Sequence, residues 1–247
     1  MPLLRKKRSN RIFLLSIAVV IILVGQFLSK NLFPLKNNDS KNPVELVVAK
    51  EHDGTDAFYE QVKTSSGEWI ANAGTPIFDN QSIATLPPKP AENISTAVLG
   101  SHIAADGSEK WIEVDISDQR LYAWEGNRKV YDVAISSGRP GYDTVQGEFR
   151  VWRKVRNQAY RGGSRARGDY YYLPNVPYSL FFHQGYAIHG AYWHNDFGIK
   201  RRSSGCVNLR IEDAEKVYNW AGPAMAGGVL ALIATADNPG VRVVVHE

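Results

Sequence analysis

The chain has 247 residues, 44% hydrophobic and 22% charged, enough to bury a sizeable core and too apolar for wholesale disorder. Its net charge of +4 is concentrated at one end: seven Lys and Arg and no acid fall in residues 1–38, and the remainder carries 22 basic and 25 acidic residues, a net of −3. The body is therefore not basic, which removes the main support for a nucleic-acid partner.

The chain opens on a basic segment, residues 1–11, containing RKKRSNR. An apolar run follows over residues 12–28, IFLLSIAVVIILVGQFL. As a helix it spans roughly 25 Å, the short end of what crosses a bilayer. The flanking positive charges predict an N-terminus in the cytoplasm and a body on the other side. GQFLSK is a poor cleavage site, so an uncleaved signal anchor is favoured over a cleaved signal peptide. Residues 29–50, rich in Asn, Lys, Ser and Pro, read as a linker.

Residues 51–105 read as a small β module, SH3-like, or an ordered stalk. GEWIANAGTPIFDNQSIATL suggests short strands with turns at Gly67, Gly74 and Asp79-Asn80. From residue 106 onward the pattern is that of a mostly β domain. Trp111, Glu113 and Asp115 alternate with Ile112, Val114 and Ile116. Residues 121–136 read as a hairpin turning at Gly126-Asn127, 145–153 as a further strand region, and 178–190 as two strands meeting at Gly185. Ala214, Val217, Tyr218 and Ala221 recur at helical spacing, predicting one short helix that Gly222-Pro223 ends. Residues 227–235 and 241–247 close the chain as strands.

Cys206 is the only cysteine. An exported protein uses cysteines in pairs, so a lone one is either a small buried hydrophobe or a free reactive thiol. A thiol nucleophile needs a base, an orienter for that base, and donors for an oxyanion. Among the six histidines, His189 ends a predicted strand seventeen residues before Cys206. Gly205 lets a backbone amide approach closely. A zinc site built from His183, His189, His194 and Cys206 matches no compact ligand spacing. The run 150–168 holds seven Lys or Arg and no acid. It suits carboxylates or anionic lipid, and equally a solvated loop.

IHGAYWHNDFGIKRRSSGCVNL, residues 188–209, resembles the signature of the L,D-transpeptidase catalytic domain, also called YkuD. His189-Gly190 matches its first part; Ser203, Gly205, Cys206, Val207 and Asn208 match its second. SGRPGYDTVQGEFRV resembles a further stretch of the family, and the likeness runs over residues 110 to 236. The resemblance implies a β-sandwich or barrel catalytic domain over 106–247, with one short helix after the cysteine. It implies Cys206 as nucleophile and His189 as base, steadied by the Gly190 carbonyl. Donors near Gly205 and Cys206 would serve the oxyanion, Ser203 and Asn208 would support the turn or cap the next helix, and no metal or organic cofactor is needed. Tyr192, Trp193 and His194 are candidates for the substrate groove. The partner it implies is a peptidoglycan stem peptide, reached from the membrane through residues 12–28. One position departs: Ser204 stands where the family carries a second histidine. That departure leaves open an L,D-carboxypeptidase, or a weakened wall-binding protein, beside a transpeptidase.

Overall fold

The computed structural model describes residues 55–89 and 98–247. The basic segment, the apolar run 12–28 and the linker lie outside the described residues. Among those described, no helix is long and apolar enough to cross a membrane.

The mostly β pattern read from residue 106 is observed. β3 (Lys110–Asp115), β4 (Arg120–Glu125) and β5 (Arg128–Ser136) form an antiparallel meander. The alternation of β3 buries Ile112 and Val114 completely, as a period of two requires for a strand with one face on a core. Short β6 (Gly147–Arg150) and the C-terminal β12 (Arg242–His246) extend this sheet. β7 (Arg153–Gly162), β8 (Tyr171–His183) and β9 (Tyr186–Gly190) follow as antiparallel neighbours. β10 (Val207–Leu209) lies parallel to β9 and antiparallel to β5, joining the two halves. β11 (Ala231–Ile233) pairs with the far edge of β7.

Two cores cover opposite faces of the β7–β8–β9–β10 layer. On one, Leu180, Phe182, Ile188, Val207 and Leu209 meet Ile112, Leu121 and Val243 of the meander. α2 (Ile211–Trp220) closes that core with Ala214, Val217 and Tyr218, the residues its spacing predicted to be apolar. On the other face lie Val155, Tyr160, Phe181 and Ala187.

The sequence reading missed β7 as a strand, because its polar residues look like a solvated surface. Three of them, Arg153, Lys154 and Asn157, are instead buried and bonded to backbone carbonyls. Asn157 reaches Gly67 O at 3.1 Å, Arg153 reaches Ser65 O at 2.5 Å, and Lys154 reaches Ala221 O, just beyond α2, at 2.8 Å. Burial without a counter-charge pulls the Lys154 ammonium down to about 7.

Residues 55–89 hold fewer strands than expected. They form a ten-residue helix, α1 (Thr55–Thr64), and a hairpin of two-residue strands, β1 (Ile77–Phe78) and β2 (Gln81–Ser82). The hairpin does turn at Asp79-Asn80, both at positive φ. These elements feed the second core rather than a core of their own: Val62 is fully buried there, with Phe58 and Phe78 packed beside it. Asn175 on β8 gives and takes a 2.9 Å hydrogen bond with the backbone of Ile70.

Candidate active site

Parallel pairing sets the site. Asn208 stands opposite His189, and Val207 opposite Ile188. Ile188, Val207 and Leu209 point into the first core. Alternation therefore turns His189 and Asn208, and Cys206 just before β10, to the other face. There a cleft opens that Cys206, His189 and Asn208 all line.

His189 is 2% exposed, with its ring 4.8 Å from that of Tyr160 and 5.8 Å from that of Trp193. Its Nδ1 lies 3.1 Å from the carbonyl oxygen of Gly190. A carbonyl only accepts, so Nδ1 carries the proton and Nε2 keeps the lone pair. Burial lowers the imidazole to about 4, so it is neutral at pH 7. The Cys206 thiol lies 3.8 Å from Gly185 O, and burial pushes it up to about 12. At rest, then, the two groups are a neutral thiol and a neutral base.

The turn before Cys206 is held by Ser203. Its hydroxyl donates to Cys206 O and accepts from Gly205 N–H at 3.1 Å. Its own backbone bridges to Ser137 O and Arg139 N–H. Gly205 sits at φ +121°, and a Cβ there would fall 2.5 Å from the Tyr186 ring. Glycine is thus required both for the backbone conformation and for the close approach of Tyr186. The Gly205 amide, expected among the oxyanion donors, donates its hydrogen bond to the Ser203 hydroxyl in this structure.

Of the three groove candidates, only Trp193 lines the cleft. Tyr192 is buried in the second core and donates to Pro174 O at 2.8 Å. His194 lies behind Asn208: its Nδ1 accepts from Asp196 N–H at 3.3 Å, and its Nε2 is 3.0 Å from the Asn208 side-chain amide. Asn208 does not cap α2, whose N-cap is Arg210 without a side-chain bond. Ser204 lines the cleft as a hydroxyl. His183 packs instead on Phe149 and Tyr186, and no group of three or more His, Cys, Asp or Glu able to hold a metal occurs among the described residues.

Several walls came from residues outside the His189 to Asn208 motif. α1 supplies Phe58, β1 supplies Phe78, and the β7–β8 hairpin supplies Tyr160, Arg161 and Tyr171. Phe58 packs on Tyr160 with ring centres 5.0 Å apart, and Phe78 on Trp193 at 6.2 Å. Only a fold could reveal these, since they lie up to about 150 residues from Cys206 in the chain.

A family model of the L,D-transpeptidase catalytic domain, YkuD, matches residues 109–245. The chain belongs to the L,D-transpeptidase family. The matched span contains the whole Cys206–His189 arrangement, whereas Phe58 and Phe78 lie upstream of it. No curated protein matches the chain at a significant level. Similar solved structures include an L,D-transpeptidase from Mycobacterium smegmatis, 20% identical with a TM-score of 0.47, over 57% of this chain and 60% of that one. L,D-transpeptidase 3 from Mycobacterium tuberculosis, in complex with a faropenem-derived adduct, is 25% identical with a TM-score of 0.44, over 57% and 61%. The catalytic domain of the E. faecium L,D-transpeptidase is 24% identical with a TM-score of 0.43, over 56% and 98%. The chain thus spans about three-fifths of the length of the mycobacterial chains. Membership of the L,D-transpeptidase family rests on the match over residues 109–245.

Proposed function

We propose that this chain is a peptidoglycan L,D-transpeptidase working through Cys206 and His189. The observation that carries the reading is the Nδ1–H bond from His189 to Gly190 O, which leaves Nε2 as the basic nitrogen in the cleft lined by the only thiol of the chain. In this mechanism the thiol proton moves to Nε2 as Sγ attacks the carbonyl between the third and fourth residues of a tetrapeptide stem. The C–N bond then breaks, and the leaving D-alanine takes the proton from Nε2. A thioester on Cys206 remains. An amine of a neighbouring stem attacks it, gives its proton to Nε2, and the thiol returns as the cross-link forms. Because thiol and imidazole are both neutral at rest, proton transfer accompanies attack rather than preceding it.

Water in place of the amine gives an L,D-carboxypeptidase. Ser204 favours a second reading, a wall-binding protein of weakened activity, since a hydroxyl donates a hydrogen bond but does not titrate near neutrality. The apolar run 12–28 and its basic flank support a single-pass anchor that holds the domain outside the cytoplasmic membrane.

The test is incubation of the detergent-solubilised full chain with tetrapeptide-containing muropeptides, read by mass spectrometry. Cross-linked dimers are the expected product, and tripeptides alone indicate the carboxypeptidase. Tight binding without product supports the wall-binding reading. Any product from Cys206→Ala equal to that of the unaltered chain sinks the nucleophile assignment. Ser204→His run in parallel measures what the hydroxyl costs.

A further inference from the structure

The cleft around Cys206 is aromatic and almost free of charge. With His189 neutral, Arg161 is the only formally charged residue among the described residues that line it, and no Asp or Glu joins it. Arg161 is exposed on β7, opposite Tyr172 of β8. Its guanidinium lies 5.2 Å from the centre of the Tyr172 ring, and that ring is itself fixed by a hydrogen bond from its hydroxyl to Ala73 O.

Four arginines of the domain already hold carboxylates. Arg139 holds Asp79 at 2.8 Å, Arg201 holds Asp143 at 2.7 Å, Arg202 holds Asp196 at 2.7 Å, and Arg167 holds Asp169 at 3.3 Å. Arg161 pairs with no carboxylate among the described residues. A guanidinium resting on an aromatic ring keeps its planar fork of N–H donors, which matches a carboxylate two bonds at a time.

We propose that Arg161 is a specificity residue that binds a free carboxylate of the donor stem peptide at the mouth of the Cys206 cleft. This rests on the acyl-transfer reading above and goes further, naming what part of the donor is recognised. A tetrapeptide stem offers two such groups near the scissile bond: the terminal carboxylate, one residue beyond it, and a side-chain carboxylate on the third residue. Recognition of the first selects tetrapeptide over pentapeptide donors, because one more residue moves the charge away from Arg161. Recognition of the second selects the chemistry of the third residue.

The test compares the unaltered chain with Arg161→Gln and Arg161→Lys on three synthetic donors. One has both carboxylates free, one has a terminal amide, and one has the third-residue side chain amidated. For the free acid, Arg161→Gln raises KM roughly tenfold with kcat unchanged, the loss expected of one exposed charge-assisted contact. Arg161→Lys recovers part of it. The penalty vanishes for whichever amidated donor lacks the recognised carboxylate, which identifies it. KM of the unaltered chain rises with salt, and that of Arg161→Gln does not. Equal penalties on all three donors, or none on any, overturn the proposal. Donor binding to Cys206→Ala, with and without Arg161→Gln, separates the two readings. Arg161-dependent binding without turnover in the unaltered chain defeats acyl transfer and leaves the carboxylate site standing. Turnover indifferent to Arg161 does the reverse, and neither binding nor turnover overturns both.

Discussion

Cys206 shows how burial can oppose reactivity. Desolvation raises its thiol to about 12 and so makes thiolate scarce at pH 7. The sign is clear: a raised thiol pKa makes thiolate scarcer at every pH below it. Alkylation of Cys206 by iodoacetamide is therefore slow at pH 7 and climbs steadily through pH 10, past the range where an ordinary thiol levels off. A plateau already below pH 7 would falsify the neutral pair and indicate a thiolate–imidazolium pair instead. His189→Ala leaves this alkylation profile nearly intact, yet lowers acyl transfer by about 10²–10⁴-fold, the usual contribution of a positioned base. The two residues were legible from the sequence, because His189-Gly190 and Ser203 to Asn208 form an ordered motif. The parts played by their neighbours were not. Gly205 N–H goes to Ser203, and His194 goes to Asn208. Such choices are made among competing hydrogen-bond partners that come together only in the folded turn.

At the scale of elements, the β7–β8 hairpin is held from outside by residues 55–89. Ile77 pairs with Tyr172, Arg153 with Ser65, and Asn157 with Gly67. α1 adds the fully buried Val62 and the cleft wall Phe58. Each apolar side chain fully buried in this way contributes about 1.5–3 kcal/mol. A chain beginning at residue 99 consequently has a lower Tm than one beginning at residue 55. It also binds stem peptide more weakly, since Phe58 and Phe78 are gone. Equal melting temperatures and equal binding for the two chains would show that the N-terminal elements are dispensable. This dependence was hidden in the sequence. Period-two alternation marks β3 to β5 because one face of each meets the core and the other faces outward. β7 is buried on both faces with polar side chains, so alternation fails and only its charges are conspicuous.

For the molecule as a whole, charge and hydropathy divide the chain. The basic start and the run 12–28 predict that the full chain sediments with membranes, resists extraction by high salt, and is released by detergent. Deleting residues 1–28 moves it to the soluble fraction. Release of the intact chain by salt alone would remove the anchor. The sequence by itself determined the mostly β class, the helix after Cys206 and the family, and it singled out Cys206 and His189 as candidates. These are local patterns or ordered motifs, and residues near in sequence are enough to express them. Only the tertiary structure decided that α1 and β1 wall the cleft, that Trp193 lines it while Tyr192 and His194 do not, and that Arg161 lies there without an acidic partner. Those facts depend on which residues a twelve-stranded sheet brings together from distant parts of the chain. Spacing along the chain carries no record of that meeting.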